Sequence, residues 1–307
     1  MWQGKVAFFD SGIGGLTVLA ECERLLPKMN FYYYGDNAHA PYGNLSKDEM
    51  RPHVLRAFDA FARMRVQAAV IACNTVTALF AEELRARYHF QIIGAEPAVR
   101  VGAKQGGDVF VLTTRATYES SRFRALCATV AKEYPQSKIM PFACDGLAGE
   151  IERHVGENGY TYAPLLPKGT PAAVVLGCTH YIYAEKYIRE YYHCPVFHGN
   201  RGIAKRLYEV ITQINAEKTG LLSTFQYSLI KNRAGKPPTP QSMLFSLQKA
   251  NVLTGKRLTI YKANKCSCFK FKKARKYKGK RRFGNVYFIG KSSAKNVEIY
   301  KQMFVYK

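Results

Sequence analysis

Short apolar runs punctuate the first two-thirds of the chain: Val6-Ala7-Phe8-Phe9, Phe31-Tyr32-Tyr33-Tyr34, Ala68-Ala69-Val70-Ile71-Ala72, Val109-Phe110-Val111-Leu112 and Ala172-Ala173-Val174-Val175-Leu176. No charged or strongly polar residue interrupts any of them, so both faces of each extended segment are apolar. Such runs predict strands covered on both sides, as in a parallel sheet. Between them the period changes. Leu16, Leu19 and Leu25 follow the first run, and Val76, Leu79, Phe80 and Leu84 follow the third, at helical spacing. Strands that alternate with helices predict an α/β fold of parallel sheets flanked by helices.

Two of the runs end alike. Ala68-Ala69-Val70-Ile71-Ala72 delivers Cys73-Asn74-Thr75, and Ala172-Ala173-Val174-Val175-Leu176-Gly177 delivers Cys178-Thr179-His180. The repetition predicts two similar lobes, each a mainly parallel sheet flanked by helices, with the active site in the cleft between them. In open α/β sheets ligands collect beyond the carboxyl ends of the strands. One thiol from each lobe would then face a shared cleft.

A single cysteine is most often a small buried hydrophobe. A matched pair at strand ends fits a more demanding chemistry. Inverting a carbon that carries an acidic hydrogen needs a base on one face and an acid on the other, and thiol and thiolate can fill both roles. His180, two residues beyond Cys178, is the candidate proton partner on one side, because its ordinary pKa lies near neutrality. Asp10, at the end of the first strand, is the candidate on the other. Ser11, the backbone amides from Gly12 to Gly15, Asn74, Thr75, Thr117 and Thr179 stand at strand-to-helix junctions suited to binding carboxylates. The glycine segment Gly12-Ile13-Gly14-Gly15 has neither dinucleotide-binding nor Walker spacing. No lysine stands out as an anchor for pyridoxal phosphate.

Composition changes this picture in one place. Of 46 Lys and Arg, 22 lie in residues 211–307, which hold only 2 of the 22 Asp and Glu. The remainder of the chain is nearly neutral, so the basicity and the catalytic motifs are separate problems. No apolar run approaches a membrane span, and the N-terminal run is too short for the core of a signal peptide. A cytoplasmic location and reduced thiols are therefore expected for the eight cysteines.

Phe9-Asp10-Ser11-Gly12-Ile13-Gly14-Gly15, Gly35-Asp36-Asn37-Ala38-His39-Ala40-Pro41-Tyr42-Gly43, Cys73-Asn74-Thr75, Glu96-Pro97 and Gly177-Cys178-Thr179-His180 closely resemble the motifs of the glutamate racemases. The resemblance spans roughly residues 5–210. It implies a cytosolic, cofactor-independent, metal-free isomerase that interconverts L- and D-glutamate and supplies D-glutamate for peptidoglycan. It implies further that Cys73, assisted by Asp10, takes the α-proton of D-glutamate, and that Cys178, assisted by His180, serves L-glutamate. Glu152, which spacing alone would leave as a surface carboxylate, falls at the position of a supporting carboxylate. Ser11, Pro41, Tyr42, Gly43, Asn74, Thr75, Thr117 and Thr179 would hold the substrate. Asn37, Phe123 and His198 depart from the family's usual residues. An aspartate racemase of the same superfamily is the nearest enzymatic alternative.

The same resemblance makes Gly284–Gly290 a late strand that returns to the first lobe. The first lobe then comprises residues 1–97 with about 208–307, the second 98–207, and about 214–283 form a basic insertion. Around 270–282 lysines and arginines are interleaved with aromatics, a composition that can neutralise phosphates and stack on bases. Nucleic-acid binding there is the reading from a different functional class, against a merely solvated segment. Cys266 and Cys268 lack the second pair that a zinc site needs. A homodimer is left open, and no membrane partner is expected.

Overall fold

The structure is a computed structural model that describes residues 4–157, 159–218, 275–277, 286–289 and 298–299. The basic run 270–282, apart from 275–277, lies outside the described residues, as do Cys266, Cys268 and the proline-rich 237–240.

Two sheets organise the chain. The first is built from β1 (Lys5–Asp10), β2 (Asn30–Gly35), β3 (Ala68–Ile71) and β4 (Gln91–Gly94), in the order β4-β3-β1-β2, all parallel. The second contains β5 (Gly107–Thr113), β6 (Ser137–Ala143), β7 (Ala173–Leu176) and β8 (Val196–His198), in the order β6-β5-β7-β8, again all parallel. From far along the chain, β9 (Arg275–Tyr277) and β10 (Val286–Ile289) extend the first sheet. β10 lies parallel to β2 and β9 antiparallel to β10. The Tyr32 and Tyr287 rings stack across that junction at 4.8 Å.

The apolar runs do what their lack of alternation requires. Along β1, Val6 and Phe8 enter one core with Leu16, Leu19, Phe31, Val70, Leu207, Ile211 and Phe288, whereas Ala7 and Phe9 enter another with Val54, Phe58, Phe61, Ile71 and Phe80. The second lobe repeats the division. Phe110 and Leu112 face Leu147, Ile151 and Ile188, while Val109 and Val111 face Val99, Phe123 and Val130. Each large side chain buried this way stabilises the fold by about 1.5–3 kcal/mol.

Helices join and cover the strands. They are α1 (Gly15–Leu25), α2 (Lys47–Arg63), α3 (Asn74–Arg87), α4 (Val99–Ala103), α5 (Arg115–Glu119), α6 (Ser121–Glu133), α7 (Leu147–His154), α8 (Glu185–Tyr192) and α9 (Asn200–Lys218). A capping box fixes where α2 begins: the Ser46 hydroxyl accepts from the Glu49 amide, and Glu49 accepts from the Ser46 amide. α9 lies after the last strand of the second sheet, yet it places Ile203, Leu207 and Ile211 in the core of the first, beside Leu16 and Leu19 of α1. It therefore straps the two lobes together.

Candidate functional site

Every strand-to-helix turn that bears chemistry lies at the carboxyl end of its strand, and the two lobes turn those ends toward each other. Cys73 caps α3 with extended backbone, and Cys178 likewise precedes a 3-10 turn over Thr179–Ala184. Both thiols are buried, with 5% and 8% of their surfaces accessible. The two sulfurs feel each other electrostatically.

Glycine lets the lobes meet. A Cβ at Gly14 would collide with Thr179 Oγ1 and lie 2.7 Å from the His180 amide nitrogen. One at Gly12 would lie 2.5 Å from Glu152 Oε2 and 2.8 Å from His180 Nε2. The absence of side chains in this turn therefore brings the first lobe against the catalytic candidates of the second. Tyr33 and Tyr183 hold the turn in place, donating to the Gly12 and Ile13 carbonyls at 2.8 and 2.9 Å.

That geometry changes the role expected for the glycine amides. The Gly12 amide donates to Asp10 Oδ2 at 3.1 Å, and the Gly15 amide also supports this carboxylate. These donors serve a protein carboxylate, because Asp10 immediately precedes the turn and folds back into it. Thr179 spans the lobes and donates to Asp10 Oδ1 at 3.2 Å. Asp10 is fully buried, and burial raises its pKa, partly offset by His180 and the two amides.

The two thiols sit in unlike surroundings. Ser11 Oγ is 3.7 Å from Cys73 Sγ. Burial, reinforced by the Asp10 charge, pushes the Cys73 thiol up to about 12. Cys178 Sγ lies 3.9 Å from His180 Nδ1, and the other ring nitrogen lies 2.6 Å from Glu152 Oε2. Burial opposes a charge on this ring, but Cys178 and Glu152 outweigh it and hold the imidazole well above its ordinary pKa. A sulfur, a ring and a carboxylate in line can pass a proton from one end toward the other.

Glu152 reaches this array from α7, which starts after Gly146. At φ 77° Gly146 adopts the left-handed conformation that glycine tolerates, turning the chain from β6 into the helix. Asn37, one of the departures from the family's usual residues, donates to Glu152 Oε1 at 3.0 Å and so anchors that carboxylate from the opposite lobe. Phe123 is buried in the second-lobe core, and His198 lies 3.6 Å from Glu185.

The predicted binding residues divide between the site and its margins. Thr75 Oγ1 lies 2.9 Å from Thr114 Oγ1 and 3.4 Å from Thr117 Oγ1, a hydroxyl cluster joining the two lobes. Thr114 is a functional position that the sequence motifs miss, although it directly follows β5 and carries the same strand-end signal as Thr117. Asn74 Nδ2 donates to the Ala95 carbonyl at 3.3 Å, and Tyr42 donates its hydroxyl to Asp36 at 2.6 Å. Pro41 and Gly43 line a small cavity with Thr114 and Cys144. A further cavity is lined by Asn74, Cys178 and Thr179. Each encloses about 10 Å³, roughly the room for a single water molecule. Among the described residues the one group of three or more side chains suited to holding a metal ion, Asp36, His39 and His53, includes neither thiol.

The likeness to known proteins agrees with this architecture. The family described as Asp/Glu/Hydantoin racemase matches residues 17–207. A glutamate racemase of Clostridium botulinum is 34% identical over 221 residues, covering 68% of this chain and 84% of that protein. One from Halothermothrix orenii is 33% identical over 227 residues, covering 70% and 88%. Among solved structures, Escherichia coli glutamate racemase in complex with L-glutamate and the activator UDP-MurNAc-ala superposes with a TM-score of 0.61 at 29% identity, over 68% of this chain and 82% of that one. The chain belongs to the Asp/Glu/Hydantoin racemase family.

Proposed function

We propose that the protein is a glutamate racemase, an isomerase that interconverts L- and D-glutamate by two-base proton transfer between Cys73 and Cys178. The observation that carries this reading is the pair of strand-end thiols contributed by opposed lobes, one beside Ser11 and in the field of Asp10, the other beside His180, in a chain whose relatives are glutamate racemases.

In the L-to-D direction the Cys178 thiolate takes the α-proton, and the resulting carbanion takes a proton from the Cys73 thiol on the opposite face. Cys178 is then a thiol and Cys73 a thiolate, and the reverse reaction uses the same two groups in exchanged roles. His180 relays the Cys178 proton when the enzyme resets, taking it at Nδ1 while its other ring nitrogen gives a proton to Glu152; Asp10 assists Cys73. Ser11, Asn74, Thr75, Thr117 and Thr179 supply donors for the substrate carboxylates, with Pro41, Tyr42 and Gly43 shaping one wall. The steps require no redox or carbonyl cofactor and no metal. The cavity lined by Cys178 is smaller than an amino acid, so in this reading the lobes open to admit substrate and close over it. D-glutamate for peptidoglycan, made in the cytoplasm, is the biological output this reading carries.

The test is deuterium incorporation at the α-carbon of L- and D-glutamate in D2O, followed by NMR and chiral chromatography with no cofactor added. Both enantiomers should exchange and interconvert. Exchange of aspartate in preference to glutamate would transfer the assignment to the aspartate racemases.

A further inference from the structure

A cluster outside the thiol chemistry carries a second site. Asp36 directly follows β2. Its amide donates to the Asp10 carbonyl at 3.0 Å, and its carboxylate accepts the Tyr42 hydroxyl at 2.6 Å, so both ends of the residue are fixed. His39, on the following loop, places Nδ1 at 3.0 and 2.9 Å from the two Asp36 oxygens. His53 enters from α2 and places Nδ1 at 3.8 Å from Asp36 Oδ2. The three residues thus converge from a strand end, a loop and a capped helix.

We propose that Asp36, His39 and His53 bind one divalent transition-metal ion of the zinc type. One potential ligand atom from each residue lies within 4.8 Å of the other two. Four-coordinate zinc with bonds of about 2.0–2.2 Å holds its ligand atoms roughly 3.3–3.5 Å apart. The 2.9 and 3.8 Å separations around Asp36 Oδ2 bracket that span. Two imidazoles and one carboxylate select zinc, cobalt, nickel or copper over calcium and magnesium, which prefer oxygen ligands. Water would complete the fourth position. The Tyr42 hydroxyl provides the outer hydrogen bond that orients a ligating carboxylate.

A His39–Asp36 ion pair accounts for only part of this arrangement. His53 Nδ1 is buried and has no hydrogen-bond partner. At 3.8 Å from the carboxylate, an N–H there is too distant for a normal hydrogen bond, and an unprotonated nitrogen would face oxygen lone pairs. A cation between them satisfies both groups. The two rings are stacked at 3.8 Å, so their lone pairs do not yet meet at one point. His39 is the more exposed of the two and belongs to a loop, which makes it the ligand that swings to close the site. Occupancy would also reach Tyr42 through the shared carboxylate, linking the ion to a wall of the proposed glutamate site.

The experiment is a Co2+ titration of the full-length chain, followed by visible absorption and then by Zn2+ competition. One equivalent should produce the intense d–d bands of four-coordinate Co2+ without a thiolate charge-transfer band, and Zn2+ should displace it. Removing even an outer-shell partner of a metal site weakens binding about 10–100-fold. His39→Ala and His53→Ala should therefore each weaken Co2+ binding by at least about tenfold, with circular dichroism confirming the fold; His53→Gln provides a second variant should His53→Ala misfold. Cys73→Ser should leave the titration unchanged. Binding that the histidine variants do not alter, a thiolate charge-transfer band, or no saturable binding would each overturn the proposal.

Discussion

The surroundings of Cys73 and Cys178 differ more than their matched strands imply. Cys178 has an imidazole beside it and a carboxylate behind the imidazole, a route for a proton to leave. Cys73 has a serine hydroxyl and the negative field of a buried aspartate, which favours the neutral thiol. A two-base racemase needs one sulfur ready to accept a proton and the other ready to give one. The fold thus supplies the asymmetry, although the local sequence is nearly duplicated. In the proposed mechanism the resting enzyme is poised with Cys73 as the acid, ready for L-glutamate.

The largest break in this comparison comes from the sulfurs themselves. Cys73→Ser and Cys178→Ser should each lower racemisation by about 10²–10⁴-fold, the usual contribution of a positioned acid or base. Either variant keeping turnover within about tenfold of the parent, measured by circular dichroism of glutamate, would remove that thiol from the reaction.

The partners should separate more subtly. The enantiomers have equal free energies, so kcat/KM must be the same in both directions whatever is mutated. The asymmetry must therefore appear in isotope effects. His180→Asn should lower turnover by about 10²-fold, the lower end of acid–base contributions, and raise the primary isotope effect with α-deuterated L-glutamate. Asp10→Asn should raise it with the D-enantiomer. An equal change with both enantiomers in both variants would dissolve the distinction between the two sides. His180 also carries a pH signature in stability. Its folded pKa is raised, so its stabilisation is fully present below the unfolded value of 6.5 and is lost as pH rises through the folded value. The melting-temperature deficit of His180→Asn should accordingly shrink from neutral to alkaline pH.

The smallest effect sharpens the comparison from the lobe contact. Gly14→Ala adds a methyl where Thr179 and the His180 backbone already sit. Overpacking of this kind costs about 1–3 kcal/mol. Thermal unfolding should register that loss, with turnover reduced less than in the cysteine variants. An unchanged melting temperature would mean that the lobes are not pressed together at this turn.

Several features of the molecule are legible in the sequence alone. The strands β1, β2, β3, β5 and β7 were visible because unbroken apolar runs have no other way to satisfy both faces. The likeness of the two cysteine turns was visible because strand ends in parallel sheets concentrate function. Glu152 shows the limit of such reasoning: its spacing describes a surface carboxylate, and only the turn at Gly146 carries it to His180. Asn37 is similar, since its contact with Glu152 crosses 115 positions of chain.

The sequence by itself determined the layers, the strand ends at which thiols would emerge and the chemistry those thiols can perform, because period and residue type act over a few neighbouring positions. Tertiary structure alone decided that Asp10 is enclosed by amides of its own turn, that His180 stands between Cys178 and Glu152, and that His53 meets Asp36. Those relations depend on how lobes, helices and loops close in space, and desolvation and charge, which set each proton's preference, exist only after that closure.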